Sequence, residues 1–243
     1  EAQAAVRAGA VQVDGIIIRK PDSPIFPEKN QVSLRGTPVA YAANHYFLLH
    51  KPSGVITATE DKNQKTVLDL LRPEDRLPKL APCGRLDLDT TGLLLMTDDG
   101  QLAHRMLSPK HHVLKYYLAK LRDPLAEDVP QKFLSGISLR EGSGEVSCLP
   151  AECAGIAPRM AVIALREGKY HQVKRMFAAV GNHVDALLRF QVGNLPLPPD
   201  SQPGQYFVIS DKEAVEMLRN PAFSSVCAFC KQNYSSYWIN NPL

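Results

Sequence analysis

Cysteine, tryptophan and long apolar runs are scarce in this chain, and each scarcity closes off a class of protein. Five cysteines in 243 residues, at positions 83, 148, 153, 227 and 230, are too scattered to suggest a disulfide framework. Cys227-Ala228-Phe229-Cys230 is a lone Cys-x-x-Cys, and a zinc site normally requires a second pair that the other three do not supply. The longest apolar runs, such as Gly92-Leu93-Leu94-Leu95-Met96, fall far short of the roughly 20 residues that span a bilayer. No secretory segment is visible, although the first residue is Glu1 rather than Met. Internal repeats and low-complexity runs are absent, and so is a credible nucleotide-binding loop. The expectation is a reduced cytoplasmic protein without a metal.

What is present is ordinary in amount and uneven in placement. Hydrophobic residues make up 44% and charged residues 22%, enough to bury a sizeable core and to exclude disorder for most of the chain. The net charge is only +3, but two segments concentrate it. Gln101 to Arg122 holds five Lys/Arg, three His (His104, His111, His112) and no acid; Arg166 to Arg189 holds five Lys/Arg against two acids. The rest of the chain is therefore acidic. Two basic patches on an acidic body fit a phosphate-bearing partner such as nucleic acid, although two solvated helix faces would read the same way.

Residues 1–42 read as a small module. Ala2 to Ala8 is helix-like and stops at Gly9; Val11 to Ile18 is a hairpin about Asp14-Gly15; Val32 to Arg35 is a further strand closed by Gly36. Residues 43–220 form the larger region. It opens with the strand Tyr46 to Leu49, which breaks at the turn Lys51-Pro52-Ser53-Gly54. A short helix is expected from Thr66 to Leu71 with a capping-box-like start. A polar loop, Gly84 to Gly92, leads into the strand Leu93 to Thr97. A helix after Asp98-Asp99-Gly100 sets Leu102, Ala103, Met106 and Leu107 on one face. Strands follow at Lys115 to Leu121, Met160 to Leu165 and Tyr206 to Ser210. Helices are expected at Gln172 to Val180 and Asp211 to Leu218. Strands and helices mix without regular alternation, which favours an α+β fold. The tail, 221–243, shows no clear periodicity.

The loop Gly84-Arg85-Leu86-Asp87-Leu88-Asp89-Thr90-Thr91-Gly92 carries two carboxylates between glycines, with an apolar strand directly behind it. A carboxylate anchored to a core in this way can serve as nucleophile or base. It could equally be a turn whose Asp residues bond their own backbone. The loop resembles the catalytic loop of pseudouridine synthases of the RsuA/RluB/RluE/RluF family, and the match continues through Thr97-Asp98-Asp99-Gly100-Gln101-Leu102. Lys115-Tyr116-Tyr117 resembles the family's Lys-x-Tyr motif. Glu167-Gly168-Lys169-Tyr170-His171-Gln172-Val173-Lys174-Arg175-Met176-Phe177 resembles its third motif. Lys51-Pro52-Ser53-Gly54 resembles its Asn-Lys-Pro-x-Gly turn, with His50 in place of the usual Asn. The resemblance covers roughly Tyr46 to Leu218.

The resemblance implies a pseudouridine-synthase fold, a mixed and mainly antiparallel sheet with flanking helices. It implies that Asp87 is catalytic, that Tyr117 contacts the target base, that Lys174 pairs with Asp87, and that Leu165 packs at the active site. Arg85 is the candidate to fill the space a flipped base vacates or to grip a phosphate. Arg7, Lys51, Arg105, Lys110, Lys169, His171 and Arg175 are expected on RNA, and His104, His111 and His112 on the RNA or the surface. Isomerisation gains no atoms, so no cofactor is implied. The run His171 to His183 looks closest to the small-subunit branch of the family. It implies a monomer acting on a uridine of 16S rRNA within a partly assembled small subunit. A 23S rRNA target is the alternative, as is a non-catalytic rRNA-binding assembly factor. A glycoside hydrolase would require Asp89 as a second inward carboxylate. The N-terminal module resembles the alpha-L RNA-binding motif, whose first helix would precede Glu1; the module is then partial.

Overall fold

The computed structural model describes residues 1–240 except Glu28, Ala40, His112 and Ser143. The expectation placed on His112 thus lies outside the described residues. The chain divides into two compact units, Glu1–Ala43 and Asn44–Leu243.

The first unit holds helix α1 (Ala2–Arg7) and strands β1 (Val11–Val13), β2 (Ile16–Ile18), β3 (Val32–Leu34) and β4 (Thr37–Pro38), in the sheet order β2-β1-β3-β4. The β1–β2 turn places Asp14 at φ 52 and Gly15 at φ 81, the doubly left-handed geometry that a two-residue hairpin loop requires. The Asp14 carboxylate accepts hydrogen bonds from Asn30 Nδ2 (2.7 Å) and the Gln31 amide (2.8 Å), tying the intervening loop back to the turn. Arg35 and Gly36 repeat the left-handed pair and fold β4 back on β3, a hairpin that the sequence reading left as one strand.

The second unit is built on a nine-stranded sheet. Its strands are β5 (Tyr46–Lys51), β6 (Ala81–Pro82), β7 (Thr91–Thr97), β8 (Lys115–Leu121), β11 (Glu152–Ala157), β12 (Met160–Leu165), β13 (Val184–Val192), β14 (Leu195–Pro196) and β15 (Tyr206–Val208), while β9 (Ser138–Glu141) and β10 (Gly144–Ser147) form a separate hairpin. The main order is β11-β12-β8-β13-β7-β5-β15, antiparallel except where β13 runs parallel to β7. Both faces are covered. On β8, alternation sends Tyr116 and Leu118 to one face, while Tyr117, Ala119 and Leu121 go to the other. The first face packs on α2 (Gly100–Leu107), α5 (Asp211–Glu216), α6 (Phe223–Tyr234) and α7 (Tyr237–Asn240); the second packs on α3 (Val129–Leu134) and α4 (Gln172–Ala179). Among the described residues no helix is long and apolar enough to cross a membrane.

Three readings change here. The helix expected at Thr66 to Leu71 is a single 3-10 turn, Leu68–Leu70, held because the Asp69 carboxylate accepts from both the Thr66 amide and hydroxyl. Leu107, expected on the apolar face of α2, is exposed. The tail is helical over Phe223–Tyr234 and Tyr237–Asn240, and Val226, Cys230, Tyr234 and Tyr237 recur at helical spacing and are buried in the main core.

Candidate active site

The loop between β6 and β7 is held from below at several points. Leu86 is buried in a cluster with Leu49, Val55, Val67 and Leu94. Thr57 clamps the backbone of the same residue: its hydroxyl donates to the Leu86 carbonyl (2.8 Å) and accepts from the Leu86 amide (3.1 Å). On the far side of Asp87, Gly54 N–H donates to the Leu88 carbonyl (2.9 Å). Lys51 closes the arrangement. Its Nζ donates to the carbonyls of Pro52 (3.0 Å), Leu88 (3.2 Å) and Thr90 (3.0 Å), and the residue is 0% exposed. Burial pushes its pKa down to about 8, and the charges of Asp89 and Asp87 work against that fall. Lys51 was expected on RNA. It is instead an internal cation bonded to loop carbonyls, out of reach of any phosphate.

Asp87 therefore sits between two fixed residues, and its carboxylate opens into a cleft of 590 Å³. Tyr117 from β8, Leu165 from β12 and Leu187 from β13 line the same cleft, with Arg85, exposed, and Lys169, Tyr170 and His171 from the turn before α4. The sequence reading placed Asp87, Tyr117, Leu165 and Arg85 in one site, and the fold brings all four to one cavity.

The expected pairing of Lys174 with Asp87 is not what the structure shows. Lys174 Nζ bonds both carboxylate oxygens of Asp89, at 2.5 and 2.6 Å. The physical reason is a turn in the loop: Thr90 N–H donates to the Asp87 carbonyl (3.1 Å), so the two carboxylates leave in different directions. Asp89 faces a second cavity with Lys174, Ser53, Tyr237 and Trp238. Burial there works against its charged form, but Lys174 outweighs it and holds the Asp89 pKa below the usual carboxylate value. Beside Asp87 stands His171, with Nε2 3.7 Å from a carboxylate oxygen.

His171 reaches that position because the chain turns sharply there. It has φ 48 and ψ 36, a left-handed conformation uncommon for a residue with a Cβ. The turn is held by a network that composition does not reveal. Gln172 Nε2 donates to Glu167 (2.8 Å), the Gln172 side-chain oxygen accepts from the Lys169 amide (2.8 Å), and Glu167 also accepts from the Leu149 amide (2.8 Å). Arg175, expected on RNA, serves the same turn. Its guanidinium donates to the carbonyls of Tyr170 (3.1 Å) and Arg140 (2.5 Å), so two of its five N–H donors hold the turn. Lys169 pairs with Glu167 at 2.8 Å. Arg105 and Lys110 are exposed on and just after α2, and Arg7 is exposed on α1. His104 and His111 are exposed, and among the described residues no cluster of His, Cys, Asp or Glu could hold a metal.

Thr57, Lys51 as a loop anchor, and Tyr170 are site features that sequence reasoning did not supply; His171 was singled out only as an RNA contact, not as the partner of Asp87 and Tyr170. Only Lys51 and Tyr170 carried a usable signal, through the Lys-Pro turn and the Glu-Gly-Lys-Tyr-His-Gln run.

A sequence model of the family described as RNA pseudouridylate synthase matches residues 45–179. The ribosomal small subunit pseudouridine synthase A of Escherichia coli (strain K12) is 42% identical over 214 residues, covering 88% of this chain and 91% of the relative. The uncharacterized RNA pseudouridine synthase YtzG of Bacillus subtilis (strain 168) is 41% identical over 223 residues, covering 91% and 92%. A crystal structure of a pseudouridylate synthase superposes with a TM-score of 0.67 at 35% identity, covering 89% of this chain and 92% of that one.

Proposed function

This chain belongs to the RNA pseudouridylate synthase family, and from that premise we propose that it isomerises a uridine of small-subunit ribosomal RNA with Asp87 as the acting carboxylate. The observation that carries the reading is the loop itself. Asp87 is the carboxylate of that loop that faces the cleft shared with Tyr117 and Leu165, and its neighbours on both sides are bonded to Thr57, Gly54 and Lys51. Such fixation matches what the reaction requires. The N1–C1′ bond breaks, the uracil turns, and C5 bonds to C1′ while its proton is lost and N1 regains one. A carboxylate that keeps its place through those steps can attack C1′ or take a sugar proton, and while ionised it can stabilise positive charge developing on the ribose as the N1–C1′ bond breaks. Because isomerisation conserves composition, the scheme needs no cofactor.

A base stacked in a helix is out of reach of this cleft, so the uridine is extruded first. Tyr117 then contacts the uracil against Leu165, and Arg85 occupies the vacated space or holds a phosphate at the rim. Arg105 and Lys110 hold RNA backbone, and Arg7 does so from the N-terminal unit. The likeness to the relative from Escherichia coli supports the small-subunit target; in our reading the enzyme acts in the cytoplasm, as a monomer, on partly assembled subunits.

Asp87→Asn is the decisive variant. It keeps the side-chain volume and removes the nucleophile and base, so pseudouridine in small-subunit rRNA should drop by at least about 10³-fold. Conversion at the wild-type rate would sink the assignment. Wild-type protein that binds naked and partly assembled rRNA yet converts no uridine would instead favour an assembly factor.

A further inference from the structure

Tyr170 is 75% exposed, the most exposed large hydrophobic side chain among the described residues. It nevertheless does not hang free. Its ring lies flat on that of His171, with centroids 3.9 Å apart and planes 17° apart, and the pair lines the cleft that holds Asp87. Its backbone is fixed as well: the Tyr170 carbonyl is gripped by Arg175, and the next residue is locked in the left-handed region at the start of α4. Left-handed geometry at a non-glycine residue persists only where its surroundings enforce it, and here they hold an aromatic ring out of the core.

We infer that Tyr170, backed by His171, is a stacking platform for an unpaired nucleobase of the RNA other than the uridine being isomerised. This rests on the reading that the chain acts on RNA. The uridine belongs deeper in the cleft, against Asp87, Tyr117 and Leu165. Tyr170 stands at the mouth, where a neighbouring nucleotide passes when its partner is drawn in. One ring face is covered by His171 and the other is open to solvent, so a base added there extends a stack already two rings deep. Stacking on a ring whose backbone is already fixed forgoes most of the ordering entropy that a mobile side chain would lose. Stacking of this kind tolerates any base, so the platform contributes affinity rather than sequence choice. Extrusion of the uridine also leaves adjacent bases partly unstacked, and the platform replaces one of the contacts they lose.

The test measures the dissociation constant of an in vitro transcript of small-subunit rRNA for wild type, Tyr170→Ala, Tyr170→Phe and Tyr170→Trp. Loss of one stacked base weakens binding by about 5- to 150-fold in the alanine variant, while the aromatic variants stay within about threefold of wild type. Scanning abasic residues through the unpaired nucleotides around the converted uridine should find one position that weakens wild type and adds nothing to Tyr170→Ala. In turnover, KM rises in the alanine variant and kcat changes little. An alanine variant that binds within about twofold of wild type overturns the platform, as does a phenylalanine variant as weak as alanine. The activity reading is judged separately by wild-type conversion. Protein with Tyr170-dependent affinity and no conversion refutes the activity alone, and converting protein with Tyr170-independent affinity refutes the platform alone.

Discussion

A buried ionisable side chain is costly unless it is bonded or gives up its charge, and two adjacent residues of β5 take the two routes. Lys51 keeps three carbonyl partners, two of them in the Asp87 loop. His50 gives up its charge. Its ring is fully buried, with Nδ1 against Ser201 (3.0 Å to Oγ) and Nε2 2.8 Å from the Tyr237 hydroxyl. Burial pushes the His50 pKa down from 6.5 to about 4. The sign follows from linkage: between pH 6.5 and 4 the unfolded chain takes up a proton there that the folded chain refuses, so stability falls as pH falls through that window. Over the whole window the loss from this residue is about 1–3 kcal/mol. Urea midpoints measured from pH 7 to pH 4 should therefore decline less steeply for His50→Gln than for wild type, whatever its stability at pH 7. Parallel declines would refute the assignment.

Among the elements, the contact between β7 and β13 is the tightest near the site. A side chain at Gly92 would place its Cβ 2.3 Å from the Arg189 carbonyl oxygen and 2.8 Å from the Arg189 amide, at φ +108. Both groups are backbone and cannot swing away. Gly92→Ala should thus cost more than about 3 kcal/mol, or force β7 off β13 and displace the Asp87 loop. Chemical denaturation gives the first quantity, and pseudouridine formation well below the melting temperature reports the second. An alanine variant normal in both would mean the approach is looser than described. This parallel pairing was illegible in the sequence because a long-range partner leaves no local mark. The elements that were legible had strong periods. The alternation of β8 and the Val173, Met176, Phe177 face of α4 both stand as read. Helix α6 was missed because its buried positions are partly Cys and Tyr rather than aliphatic, and β9 to β11 because they are short and rich in small or polar residues. Motif order singled out Asp87, Tyr117 and Leu165, and the three line one cleft. It paired Lys174 with the wrong aspartate because direction out of a turn is set by a backbone bond that spacing does not encode.

For the whole molecule, the question is which basic residues remain available to a polyanion. Lys51 is internal, and Arg175 and Lys174 are bonded within the protein. Arg105 and Lys110 are exposed in the segment that carries no acid. Each should add about one unit or slightly less to the slope of log affinity against log salt. Arg105→Ala and Lys110→Ala should each lower that slope on small-subunit rRNA by about that amount, while Lys51→Met leaves it unchanged. An unchanged slope in the two alanine variants would move the RNA track to another face.

The bond between His50 and Tyr237 joins residues 187 positions apart. Thr91, at the end of the Asp87 loop, is a further side-chain partner of Tyr237. During synthesis, β5 and the loop leave the ribosome long before Tyr237 is made. The cleft residues can pack together before Tyr237 is available to His50. A nascent chain stalled before α7 has emerged would hold Asp87, Tyr117, Leu165 and His171 and still lack the Tyr237 contact behind the loop.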